Sequence, residues 1–344
     1  MKIAIIGAGF FGCTAAIVLS KKHKVDLFES SKTILNGASR SNQFRFHYGF
    51  HYPKSKKTVD EIKKSKEDFI KLFGHNVLGK TKNKYLIAKN SKVSFEKYKL
   101  FLKKYNLNFN ELTSNNKFIR GEILTDERIL NYFKFKKNIE KKLFNKNINL
   151  QINTKFNKKN LEKYDKVIIF SYANNNSVLN YLGIKKIRKL RYELVEKLVV
   201  KLPKKFKNNS DVVIYGKFVC IDPYLGTDYH LLSDVKLSKI EIIESRFPKF
   251  KNKNGIFLNK GLIINYNKTR FNKILNRCKK YLPYLKHAKY IGSFYVIRTI
   301  KTGVENTDQR TSEIINHNKK IISVMSGKWN NCVSLAKIIY KILG

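Results

Sequence analysis

Residues 40–53 read RSNQFRFHYGFHYP, with two histidines, two arginines and five aromatic rings in fourteen positions. His47 and His51 stand four apart, the spacing that puts two metal ligands on one helix face. Gly49 and Pro53 disfavour a helix here, and no carboxylate lies nearby to complete a ligand set, so no metal is expected. Imidazole is suited instead to proton transfer near neutral pH, and one of the two histidines is expected to line a ligand and act as general base. Arg45 is expected to contact a substrate anion. Further along, GSFYVIR ends at Arg298, a residue able to clamp a carboxylate with two parallel hydrogen bonds. The competing reading of Arg298 is a structural pair with an acid such as Asp308. Tyr295 on the same strand, expected to share the Arg298 face, and Tyr192 on a neighbouring strand are candidates to add substrate hydroxyl contacts.

The element best placed to hold a ligand beside these residues is at the N-terminus. IAIIGAGFFGCTAA carries Gly7, Gly9 and Gly12 in G-x-G-x-x-G spacing between a short apolar strand and a helix. The first glycine serves the tight turn, the second lets a pyrophosphate approach the backbone, and the third lets helix pack on strand. Amides of the helix start, at Phe10 and Phe11, then face the phosphates. VDLFES follows as a second strand, with Glu29 about twenty residues on, placed to hold both hydroxyls of an adenosine ribose, and Ser30 beside it. No arginine adjoins Glu29, which disfavours a 2′-phosphate. The motif alone leaves NAD and FAD open.

The remaining pattern alternates helix and strand. Helices are expected over 13–20, 58–73, 94–104, 128–145, 268–282 and 331–342, and strands over 2–6, 24–28, 84–90, 148–156, 166–172, 291–299 and 320–325. Residues 118–127 read as a hairpin or strand pair, and 191–266 as an antiparallel sheet. That order fits a nucleotide-binding layer interrupted twice by a second domain. The chain has 344 residues, 42% of them hydrophobic, enough for substantial cores despite 28% charge. It has no apolar run long enough for a membrane span, and its N-terminal apolar run is broken by glycines with no cleavage site, so a cytoplasmic location is expected. Cys13, Cys220, Cys278 and Cys332 are scattered without a CxxC pair, which argues against zinc and a disulfide framework. Lys and Arg number 71 against 25 Asp and Glu, a net charge of +46. The lysines are spread along the whole length, which reads as solvated faces and compositional drift, with a functional anionic partner as the alternative. A specific nucleic-acid partner is not expected, since no basic tail or RNA-binding module stands out.

Beyond Glu29 the chain resembles flavoproteins of the D-amino-acid oxidase type. NGASRSNQFRFHYGFHYP is similar to their segment running along the cofactor toward the flavin ring, INTKF to the strand against the adenine, YDKVIIFSYANN to the middle strand, and IISVMSGKWNNCVSLAKII to the closing strand, turn and helix. The wording is closest to a branch of that family often found beside surface-polysaccharide genes. The resemblance implies an α/β fold: a Rossmann-type FAD-binding domain, a parallel sheet with helices, interrupted by an α+β substrate domain with a largely antiparallel sheet. The expected division is 1–75, 146–190 and 290–344 for FAD, and 76–145 and 191–289 for the substrate cap. It also implies FAD contacts from Ser39, Arg40, Asn42, Gln43, Phe156, Ser171 and Ala173, and from Ser326, Gly327, Lys328 and Trp329 at the closing turn. Gly49 is expected to let backbone pass close to the ring, and the aromatics of 40–53 to wall it. The sequence departs from the family's usual wording at Tyr172 and at Lys328-Trp329. The implied activity is oxidation of a C–N or C–O bond in a small amine, amino acid or hydroxy acid, possibly sugar-derived, by hydride transfer to flavin. A non-redox flavoenzyme acting on a nucleotide sugar and an RNA-binding flavoprotein are the alternatives. Substrate, electron acceptor, flavin attachment and oligomeric state stay open.

Overall fold

A computed structural model of the chain describes residues 1–53, 55–303 and 311–344. Its first layer is a six-stranded sheet in the order Glu313–Asn316, Ile321–Met325, Lys166–Ile169, Lys2–Ile6, Lys24–Phe28, Ile148–Gln151. All neighbours run parallel except the first pair. The runs KIAII, KVII and IISVM are apolar because both faces of a parallel sheet are covered. Ile3 and Ile5 pack on the side of helix Phe10–Leu19, whereas Ala4 and Ile6 pack on the side of helix Asn175–Tyr181. The first strand turns at Gly7, whose φ is +103°, directly into helix Phe10–Leu19. Small residues Gly12, Ala15 and Ala16 let that helix sink almost completely, and the C-terminal helix Cys332–Leu343 packs against it.

The second layer is a ten-stranded sheet whose spine is the antiparallel pair Leu190–Lys201 and Lys289–Ile300. Among the described residues its ladders are antiparallel, apart from Asn209–Ile214 beside Lys82–Ala88. Three short strands, Arg45–Phe46, Leu78–Lys80 and Arg128–Leu130, make a third sheet that sends Phe46, Ile129 and Leu130 into the core of the first layer. The fold is thus the expected Rossmann-type layer plus a largely antiparallel sheet domain.

Four local expectations change. Ile119–Thr125 is a single strand, and the chain then crosses into the small sheet at Arg128–Leu130 rather than turning back as a hairpin. The following helix starts at Tyr132, since the Asn131 side chain accepts a hydrogen bond from the Lys134 amide as an N-cap. That helix, assigned to the cap by its place in the chain, buries Phe135, Ile139 and Leu143 in the core of the first layer. Conversely Lys289–Ile300, assigned to the FAD domain from residue 290, pairs along its whole length in the second sheet. No helix among the described residues is long and apolar enough to cross a membrane.

Candidate active site

Two cavities adjoin where the sheets meet, sharing Ala38, Tyr172, Val296 and Ile297 in their walls. The larger, about 680 Å³, runs past the glycine turn and is lined by Gly7, Gly9, Glu29, Ser30, Ser39, Phe156, Ser171 and Ala173. At its centre the Phe10–Leu19 helix begins with no acidic residue in its first turn, leaving amides that have no intrahelical acceptor. A Cβ on Gly9 would stand in the cleft, meeting only the Ser39 hydroxyl at 3.1 Å. Glu29 accepts the Ala8 amide at 2.9 Å through one oxygen and the Ser31 amide at 2.8 Å through the other. Its carboxylate is thereby aimed into the cleft with lone pairs to spare.

The smaller cavity, about 300 Å³, is lined by Asn42, Gln43, Arg45, His47 and His51 from one side and by Ser326, Gly327, Lys328 and Trp329 from the closing turn. Arg298 and Lys197 come from the paired strands of the second sheet. Among the described residues, four that line this cavity carry a buried polar atom without a partner: Arg45 Nε, His47 Nδ1, Thr299 Oγ1 and Trp329 Nε1. Buried polar groups are rarely left unpaired, so these residues have hydrogen-bonding capacity to spare beside the cavity. The two cavities together fit a dinucleotide: an acid and a helix start along the cleft, then unpaired polar atoms where its reactive end would lie.

The stretch 40–53 alternates, and its two faces separate. Gln43, Arg45 and His47 turn toward the cavity, while Phe44 stacks on Tyr224 at 5.6 Å and Phe46 packs on Trp329 at 5.6 Å. Phe50 lies on Tyr85 at 5.4 Å. The expected aromatic wall is therefore mostly core, and of these rings Tyr52 alone lines the cavity. Burial, helped by Lys328, by Arg45 and by each other's proximity, holds His47 well below the usual imidazole range; burial, Arg45 and Lys328 do the same to His51. Both are neutral bases at physiological pH.

Several expected contacts are corrected. Arg45 reaches the cavity wall, but its terminal nitrogens are taken by Glu127 at 3.1 Å, Asp222 at 2.5 Å, Ser210 at 2.9 Å and Asn83. It is a buried structural cation and not a substrate clamp. Tyr192 is buried on the far side of its strand, where its hydroxyl donates to the Arg246 carbonyl at 3.1 Å. Tyr295 stands three residues from Arg298, an odd spacing that places it on the opposite strand face, packed on Phe257 at 5.2 Å. Arg40 turns away from the cofactor cleft, over the Phe294 ring at 6.0 Å. Gly49 has φ +124° but faces Val59 and Leu107. Phe10 packs on Phe135 and Trp329 in the core, with Phe11 packed against it, and Gly12 abuts the Gly7 carbonyl. The Phe10 amide itself donates to the Ser39 hydroxyl at 3.1 Å, and the cleft is lined at this turn by Gly7 and Gly9 rather than by these three residues.

Arg298 is paired with Glu193; Asp308, the acid named as its expected partner, lies outside the described residues. Its Nε donates to Glu193 at 2.6 Å. Lys239 at 3.0 Å and Arg191 at 3.2 Å also hold Glu193. Burial alone would raise the Glu193 carboxyl, but Arg298 and Lys239 outweigh it and keep it below its usual range. This carboxylate is thus surrounded by cations and leaves excess positive charge at the cavity wall.

Lys197 was missed by sequence reasoning. It hydrogen-bonds Gln43 Oε1 at 2.8 Å, and burial pulls its ammonium down to about 8. A lysine at an inward strand position is a signal elsewhere, but it is muted in a chain this rich in lysine. Tyr172, noted only as a departure, holds φ +51° and forms the divider between the two cavities. Among the described residues no group of three or more His, Cys, Asp or Glu is arranged to hold a metal.

Comparison with known proteins agrees with this geometry. Residues 2–147 match the family model DAO, FAD dependent oxidoreductase. Among curated proteins, the FAD-dependent monooxygenase kojA of Aspergillus flavus is 36% identical over 74 residues, covering 21% of this chain and 17% of that protein. FAD-dependent monooxygenase FPY4 of Fusarium mangiferae is 39% identical over 74 residues, again 21% of this chain and 19% of that protein. The chain therefore aligns with less than a fifth of the length of these relatives. Solved structures match over the full fold. L-proline dehydrogenase from P. horikoshii has a TM-score of 0.71 at 14% identity, covering 99% of this chain and 92% of its own. Glycine oxidase from Geobacillus kaustophilus gives 0.66 at 13%, with 99% and 92% covered. L-α-glycerophosphate oxidase from Mycoplasma pneumoniae, solved with FAD bound, gives 0.68 at 14%, with 99% and 93% covered. Residues 2–147 are thus similar to the DAO family of FAD-dependent oxidoreductases, and the chain as a whole shares the fold of these solved structures.

Proposed function

We propose that the chain oxidises the C–N or C–O bond of a small amino or hydroxy acid, whose acidic group is held in the 300 Å³ cavity. The observation that carries this reading is the charge of that cavity's wall. Lys197, Lys239, Arg298, Lys301 and Lys328 line it, against Asp234 as the lining acid. A carboxylate or phosphate is the natural counterion for such a wall, and in a partly desolvated site each contact is worth more than at the surface. The similar folds named above belong to enzymes whose names give glycine, proline and glycerophosphate as substrates, all small and each bearing a carboxylate or phosphate.

FAD, when bound, accepts the hydride released from the substrate carbon. Gly9 and the amides opening the first helix would hold its pyrophosphate, Glu29 its adenosine ribose, and Phe156 its adenine. The backbone at Ser326 and Gly327, with Lys328, would meet the flavin pyrimidine edge. Lys197 and Arg298 orient the acid group, while the neutral imidazoles of His47 and His51 are available to take the substrate's N–H or O–H proton. Tyr172 keeps the substrate space apart from the adenosine end of the cleft.

The test is anaerobic mixing of FAD-loaded protein with a panel of amino and hydroxy acids, read as loss of flavin absorbance. Bleaching by members of the panel is expected. A protein that no acid bleaches, yet becomes active on a nucleotide sugar only after chemical reduction, would replace this reading with the non-redox one.

A further inference from the structure

The two histidines of the cavity differ in what stands behind them. His51 Nδ1 lies 2.9 Å from the Tyr85 hydroxyl, and Tyr85 donates its proton to Glu127 Oε2 at 2.6 Å. Glu127 also receives the Arg45 guanidinium at 3.1 Å and the Tyr48 amide at 2.8 Å. Every neighbour it bonds is a donor, which is the environment of a carboxylate. Arg45 is in turn anchored by Asp222. A hydroxyl has a single proton, and that of Tyr85 is committed to Glu127, so Tyr85 offers only a lone pair to His51. The shared hydrogen between Tyr85 and His51 must then sit on Nδ1. On the other side of the ring, Nε2 faces the cavity wall, where its described neighbour is the Cys220 sulfur at 3.5 Å. Burial and the nearby Asp222 raise that thiol to about 12, which leaves it a weak S–H donor that competes poorly with a substrate. By contrast, His47 Nδ1 has no partner among the described residues, so no comparable relay stands behind it.

We propose that Glu127 and Tyr85 are positioning residues that lock His51 as its Nδ1–H tautomer, which makes Nε2 the proton acceptor of the substrate cavity. The acceptor half rests on the oxidation proposed above; the tautomer half does not. A proton passing from a substrate amine or hydroxyl to Nε2 leaves the ring as an imidazolium, with Nδ1–H still on Tyr85. No electrons move in that step. A fixed tautomer matters because the wrong one presents an N–H where the lone pair is needed.

The test is long-range ¹H–¹⁵N correlation on the full chain labelled with ¹⁵N-histidine, with His51 assigned by its absence from His51→Gln. The wild type is expected to show His51 protonated on Nδ1 and bare on Nε2, and Tyr85→Phe to shift it toward the Nε2–H form. Tyr98→Phe removes a hydroxyl that donates instead to the Phe50 carbonyl and should leave the tautomer unchanged. An Nε2–H ring in the wild type, or no shift in Tyr85→Phe, overturns the lock; the wild-type spectrum decides alone if Tyr85→Phe does not fold. With a bleaching substrate in hand, Tyr85→Phe should lower kcat by at least tenfold while flavin content stays at the wild-type level. A shifted tautomer with unchanged kcat overturns the acceptor role. Failure of every acid to bleach the flavin would instead remove the parent reading and leave the spectrum to judge the lock.

Discussion

Gly9 and Gly12 belong to one motif but answer to different physics, and alanine at each separates the two. At Gly12 a Cβ would lie 1.8 Å from the Gly7 carbonyl oxygen and 3.0 Å from its carbon. Both are backbone atoms, so no rotamer change relieves the contact. The helix must withdraw from the turn by roughly 1.5 Å, pulling apart the interface of its nine buried residues. Overpacking typically costs about 1–3 kcal/mol, and a rigid neighbour places Gly12→Ala at the upper end, about 3 kcal/mol. Gly9 has φ −79° and ψ −171°, ordinary for alanine, and its Cβ would meet only the movable Ser39 hydroxyl at 3.1 Å. Gly9→Ala should change stability by less than about 1 kcal/mol, yet its methyl stands where the pyrophosphate must approach. FAD affinity should fall at least about tenfold, or 1.4 kcal/mol. Urea unfolding of the apoprotein measures the first effect through fluorescence of the single tryptophan, Trp329, which is buried against Phe10. FAD titration measures the second. Wild-type stability in Gly12→Ala, or wild-type FAD affinity in Gly9→Ala, would refute the reasoning.

Other perturbations test the rest of the account. Lys197 is expected to lose its proton as pH rises through about 8, so binding of an anionic inhibitor should weaken above that pH, and Lys197→Met should bind weakly at all pH values with the inflection gone; isothermal titration across pH 6–10 reads both. Arg45→Met leaves Glu127 and Asp222 buried without their cation, and should destabilise the fold by about 3–5 kcal/mol, seen as a lower urea midpoint. His230 is buried and burial lowers it to about 4. The unfolded chain binds this proton first, so the contribution is complete above about pH 6.5 and declines as pH falls toward 4. It should cost about 2 kcal/mol between pH 6.5 and 5, a slope that His230→Gln reduces in unfolding experiments at the two pH values. Tyr192→Phe and Tyr295→Phe, both removed from the cavity, should leave steady-state kcat/KM within about twofold of wild type.

The parts legible in the sequence were those fixed by local geometry. Gly7, Gly9, Gly12 and Glu29 act through a turn, a helix start and a strand end that lie within thirty residues, and their spacing alone places them. Strand runs such as KIAII and IISVM were legible because a strand buried on both faces tolerates few polar residues. What was not legible depends on which face of a strand meets which neighbour. Tyr192 and Tyr295 were expected at the substrate, and strand parity turned them away, while Lys197 on the same strand as Tyr192 but at the opposite parity lines the cavity. Arg45 looked like an anion contact until Glu127 and Asp222, 82 and 177 residues away, closed on it. The assignment of Tyr132–Leu143 and Lys289–Ile300 to layers failed for the same reason: chain order does not name the packing partner.

The central claim is that the cavity beyond Tyr172 selects an acidic substrate for oxidation. It is tested most directly by the anaerobic rate of flavin bleaching for a substrate acid and for the amine or alcohol that lacks only the acid group. With the acid removed, Lys197 and Arg298 lose the partner the site is built to hold, so the acid should react at least about a hundredfold faster. Equal rates for the pair, or faster bleaching by the neutral analogue, would contradict the account.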